Sequence, residues 1–175
     1  MTTITAVPVP QGTLIAQALP QIHYADAYRA QMRATQPPDL DSLVRAVFAT
    51  TPAWIVALLR LRNTLVRPFG LHTAPPTPTT TMSTSLQPGA VIGLFRVFAR
   101  SDTEIILGDD DRHLDFRVGI LRQVNGDRTV VVVSTIVSFH NWLGRLYFIP
   151  VQRFHRLIVP ALMRRAAARL TADTA

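Results

Sequence analysis

Between Ala90 and His140 apolar and polar residues alternate, and after Asn141 the spacing changes to that of a helix. A period of two lets one face of a strand meet a core, and a period near 3.6 gives a helix one apolar stripe. Four strands are expected: Ala90–Ala99, Glu104–Gly108, His113–Gln123 and Arg128–His140. Asn125-Gly126 marks the hairpin between the last two, because glycine takes a positive φ without steric cost. Strands joined by short turns make an antiparallel sheet. A final helix from Asn141 or Gly144 to Leu170 can cover one face of it. The helical wheel gathers Tyr147, Val151, Phe154, Leu157, Ile158, Ala161 and Leu162 on one side, with Arg145, Gln152, Arg153, Arg156 and Arg164 opposite. Pro150 and Pro160 are expected to bend it, since each removes a backbone donor. A curved sheet gripped by a long helix often encloses a cavity, and what that cavity holds is the functional question.

Composition narrows the chemistry. All 18 basic residues are Arg, so a Schiff-base or general-base lysine is excluded. There is no Cys, which excludes disulfides, zinc thiolates and thiol nucleophiles. The net charge is +7, but the Arg residues are scattered from 29 to 169 without a dense run, so no nucleic-acid partner is expected. No stretch is long and apolar enough to span a bilayer, and no basic segment opens a signal peptide, so a cytoplasmic protein is expected.

Residues 1–20 read as a flexible leader, and 172–175 as a tail, around a single domain at 21–171. His23 to Met32 fits either a strand or a helix. Asp39 is placed to cap a helix carrying Leu40, Leu43, Val44, Val47 and Phe48. Thr51-Pro52 opens a second short helix with the stripe Trp54, Leu58, Leu61 and Leu65. The Pro/Thr-rich tract at 73–89 reads as a loop.

The segments PAWIVALLRLRNTLVRPFGL (52–71), LGDDDRHLDFRVGI (107–120) and FHNWLGRLYFIPVQRFHRLIVPALMRRA (139–166) resemble a bacterial family, domain of unknown function 2867. The resemblance covers Tyr24 to Ala166 apart from the Pro/Thr loop, which is expanded here. It implies an α+β helix-grip fold of the START-like, Bet v 1-like (SRPBCC) kind. That fold has two short helices after the first strand, a curved antiparallel sheet and a long C-terminal helix. Similar domains bind lipids, sterols, hydroxylated aromatics or polyketides, and some are cyclases or hydrolases. Fold analogy of this kind is a weak guide to function.

Arg62 is the most informative single residue. It lies on the buried side of the second helix, where a guanidinium must meet a carboxylate or an anionic ligand. Two readings stay open: it snorkels or pairs with Asp115, or it orients an acidic or carbonyl-bearing ligand. The Asp109-Asp110-Asp111 run reads as a turn, not a metal site. His113, Asp115 and Arg117 alternate with Leu114, Phe116, Val118 and Ile120. With the apolar set against the helix, the polar three form an outer ladder. With the reverse, His113 and Asp115 become a base and its orienter inside the cavity. His140 either ends its strand or joins such a polar site, and Asn141 is available as the next helix cap. His155 reads as a structural residue.

The expected function is binding of a small hydrophobic or amphipathic molecule. Its cavity would be lined by Trp54, Leu58, Phe116, Val118, Tyr147, Phe154 and Ile158, with Arg62 as polar anchor. No cofactor and no metal are expected. Two other readings stay open: an enzyme using His113 or His140 as acid/base, and a membrane-surface or partner-binding module using Arg145, Arg153, Arg156 and Arg164.

Overall fold

The valine-rich run Arg128–Phe139 forms a strand next to the centre of a seven-stranded antiparallel sheet. In this computed structural model, residues 2–33, 37–48, 86–92, 95–126 and 128–172 are described. The strands are β1 (Ile4–Val7), β2 (Tyr24–Arg33), β3 (Val91–Ile92), β4 (Phe95–Arg100), β5 (Glu104–Asp110), β6 (Leu114–Asn125) and β7 (Arg128–Phe139). Their order is β1-β2-β7-β6-β5-β4-β3. The helices are α1 (Leu40–Phe48), after β2, and α2 (Trp142–Ala172). The curved sheet wraps α2, so the fold is a helix grip.

The β6–β7 hairpin forms where the Asn-Gly pair predicts it: Asn125 faces Arg128, and Gly126 takes φ +62°. The segment open between strand and helix forms β2, which pairs with β7 from Tyr24 opposite Val137 to Arg33 opposite Arg128. Asp39 caps α1, its Oδ1 accepting from Ser42 N at 2.7 Å. That bond and a second from the Ser42 hydroxyl hold the Asp39 carboxyl below its ordinary range, against a smaller effect of burial.

Parity divides β6 and β7 into two faces. Val131, Val133, Ile120, Leu107 and Ile105 join α1 and the Met163, Ala166 and Ala167 end of α2 in the main core. This is the concave face. Ile106 and Ile136 point the other way, onto Ile15 and Leu19. The β7 side chains from Thr129 to Ser138 are therefore all buried, one set under α1 and α2 and the other under the N-terminal segment.

Three expectations differ from the structure. Residues 1–20 are not bare leader: they contain β1, paired with β2, and a 3-10 turn at Ile15–Gln17 whose Ile15 is buried. The buried Glu104 carboxylate fixes that turn by accepting from Leu14 N at 2.6 Å and Ile15 N at 3.1 Å. Ala90–Ala99 is not one strand but the antiparallel pair β3 and β4. The helical-wheel face is rotated by about one residue: Phe148, Met163, Ala166 and Ala167 are buried, while Phe154 and Leu157 are exposed. The rotation follows from close approach, because a Cβ on Gly144 would lie 2.1 Å from the His113 carbonyl oxygen. Only a glycine lets the first turn of the helix sit that close, and this sets its phase. The helix α2 contains both Pro150 and Pro160. The second helix, expected at 51–67, and residues 73–85 of the Pro/Thr tract lie outside the described residues.

Candidate functional site

Tyr24 and Asp26 share the concave face of β2, two residues apart along the strand. The Tyr24 hydroxyl donates to Asp26 Oδ2 at 2.6 Å. From α2, His155 Nε2 comes within 3.2 Å of the other carboxylate oxygen, Asp26 Oδ1. The Tyr24 ring packs edge-on against Phe148 and His155. Burial, then the hydrogen bond and charge of Asp26, push the Tyr24 phenol well above its ordinary value of 10.0, against an opposing effect of Arg156. Tyr28, further along the same strand, is raised for the first and third of those reasons. Tyr24 therefore stays protonated and donates.

Thr135 of β7 stands opposite Asp26 on one side and Val118 on the other. Side chains paired across strands lie about 5 Å apart at Cβ. The Thr135 hydroxyl is buried and has no hydrogen-bond partner among the described residues. Besides the Asp26 network, this face carries an apolar cluster: Leu114, Val137 and Phe148 are buried together, with Phe116, Tyr147 and Val151 half-buried against them. Val118 is also half-buried. A polar group set among such side chains can orient a small apolar molecule.

The residues singled out from sequence fall in different places. Phe116, Val118 and Tyr147 lie on or against the concave face. Ile158 is half-buried and Phe154 is exposed. Trp54, Leu58 and Arg62 lie outside the described residues. Asp115 and Arg117 sit on the outer face, as the apolar-in assignment has it. There Asp115 Oδ2 lies 2.9 Å from His140 Nε2. Arg117 pairs with Asp110 at 2.7 Å and stacks over the Phe98 ring. His113 does not extend this ladder. It precedes β6 and is buried against the Tyr147 ring, with Nδ1 3.2 Å from Asp111 Oδ2. His113 and Asp115 are thus not paired with each other. Asn141 Oδ1 accepts from Gly144 N, capping α2.

A cavity of about 580 Å³ opens on the outer face, between the 3-10 turn and the β4–β6 strands. Glu104, Arg117 and Phe98 line it. Both of its charged groups are engaged, Glu104 by backbone N–H groups and Arg117 by Asp110. Among the described residues, no three His, Asp or Glu side chains are grouped to hold a metal ion. No described helix is long and apolar enough to cross a membrane.

Sequence reasoning missed Tyr24, Asp26 and Thr135 and left His155 as a structural residue. The only available signal was a lone Asp within an otherwise aromatic and alanine-rich strand.

Among solved structures, Ara h 8.0201 is similar at 11% identity and a TM-score of 0.39, with 83% of this chain and 99% of that chain covered. CalU16 from Micromonospora echinospora is similar at 13% identity and a TM-score of 0.35, with 98% and 94% covered. Both scores are too low to add to what the strand order already shows. No curated protein matches the sequence. The family model described as Protein of unknown function (DUF2867) matches residues 18–162, and the chain belongs to that family.

Proposed function

We propose that the protein binds one small, mostly apolar molecule bearing a hydrogen-bonding group, between the concave face of the sheet and α2. The Thr135 hydroxyl carries this reading. A buried hydroxyl without a partner costs about 1–3 kcal/mol, and a ligand's polar group would remove that cost. The Tyr24–Asp26–His155 network across the strand supports it by offering further polar contacts. The half-buried Phe116, Val118, Tyr147 and Ile158 supply apolar lining. Arg62, Trp54 and Leu58 remain proposed members of the same site, with Arg62 as a second anchor. Acid–base catalysis by His113 or His140 has less support, because Asp115 and His140 pair on the opposite face.

Thr135→Val tests the reading. Valine keeps the shape and removes the unmet hydroxyl. The variant is expected to melt at a higher temperature than the parent without ligand. It is also expected to bind N-phenyl-1-naphthylamine, a neutral apolar probe with one N–H, about tenfold more weakly. Unchanged probe affinity, together with an unchanged or lower melting temperature, contradicts the proposal.

A further inference from the structure

Much of the apolar surface of α2 faces solvent. Trp142 is 73% exposed, Leu146 55%, Ile149 57% and Leu157 63%. At 3.6 residues per turn these four fall on one strip, about 120–140° around the helix from Phe148, Val159 and Ala166. Exposed Arg153 and Arg164 lie on the same strip, and exposed Arg145 lies at its edge. From Trp142 to Arg164 the strip is about 33 Å long. Along its whole length α2 carries six Arg and no Asp or Glu. Pro150 also serves this geometry: the carbonyl it frees belongs to Leu146, on the exposed side, where water or a headgroup can satisfy it.

We propose that this strip docks the protein on an anionic phospholipid surface, with α2 lying in the plane of the interface. Trp, Leu and Ile bury in the headgroup and acyl boundary, and the Arg stems lie along it with their guanidinium groups at the phosphates. Each basic residue near an anionic bilayer contributes about 1 kcal/mol. Charge selects this occupant. A second copy of the chain would bring a net charge of +7 against +7 and six further Arg against six. The site is separate from the concave face, so it stands or falls independently of the ligand proposal.

The test is co-sedimentation with vesicles of phosphatidylcholine alone or with added phosphatidylglycerol, at low and high salt. Binding is expected only with phosphatidylglycerol and is expected to weaken with salt. Replacing Arg145, Arg153 and Arg164 together by Gln should weaken it about a hundredfold. Replacing Leu146 and Ile149 together by Ser should weaken it at least about tenfold. Both sets are exposed, and unchanged melting temperatures confirm that the fold survives. In a Trp54→Phe variant Trp142 is the remaining tryptophan, and its emission should shift to shorter wavelength on binding. Absence of sedimentation, equal binding to neutral vesicles, or full binding by either multiple variant overturns the proposal. So does a concentration-dependent dimer that the Leu146/Ile149 variant abolishes, because the strip would then be a self-association face.

Discussion

His155 Nε2 and Asp26 Oδ1 stand 3.2 Å apart although 129 residues separate them in the chain. This contact ties the middle of α2 to the second strand across the concave face. The two side chains are only partly exposed, at 19% and 16%. Asp26→Asn and His155→Gln are each expected to cost about 1 kcal/mol. In a double-mutant cycle by chemical denaturation they should couple by at least about 0.5 kcal/mol. Additive effects would show that the contact contributes nothing.

Tyr24 gives the fold an alkaline limit. Its folded pKa is raised above the unfolded value of 10.0, so the fold favours the protonated phenol. That contribution is whole below about pH 10 and is lost as pH rises from there towards the folded value. Tyr24→Phe should lower stability by about 1 kcal/mol at neutral pH, through loss of the hydrogen bond to Asp26, and should flatten the decline above pH 10. Denaturant melts at a series of pH values measure both. A decline of the same slope in parent and variant would remove Tyr24 as its source.

Gly144 sets how closely α2 approaches the start of β6. A Cβ there meets the His113 carbonyl oxygen at 2.1 Å, and backbone cannot step aside as a flexible side chain can. Gly144→Ala should destabilise by about 3 kcal/mol, although alanine is the better helix former. Thermal melting is the check. A neutral or stabilising result would mean that the helix phase is set elsewhere.

Arg62 and Arg60 are two residues apart in the sequence, a spacing that sets them on different sides of the expected helix. If Arg62 anchors the ligand, Arg62→Ala should weaken binding of a carboxylate-bearing apolar probe at least about tenfold, and Arg60→Ala should leave it nearly unchanged. Equal effects of the two substitutions would leave no anchor role for Arg62.

The antiparallel sheet and the α1 cap were legible because each rests on local spacing. Alternation in Leu114–Ile120 places the apolar residues on the helix side, and Asn125-Gly126 and Asp39 act within a few residues of themselves. The N-terminal segment was not legible. Its docking depends on Glu104 reaching back to Leu14 and Ile15, a contact about 90 residues distant that no period records. The phase of α2 was misread for a different reason. Apolar residues occupy most of its circumference, so the wheel alone does not distinguish the buried Phe148 side from the exposed Trp142 side. The concave cluster was hidden for the reason that hid Glu104: Tyr24 with Asp26, Thr135 and His155 come from three elements that meet only in the fold.

Methyl-selective NMR during titration with N-phenyl-1-naphthylamine tests the ligand proposal most directly, because the two faces of the sheet carry different methyl groups. Saturable one-site shifts are expected at Val118, Val133, Val137 and Val151 on the concave side. Ile106 and Ile136, which pack on Ile15 and Leu19 on the outer side, should stay unmoved. Shifts confined to Ile106 and Ile136, or no saturable shift at any methyl, would contradict the account.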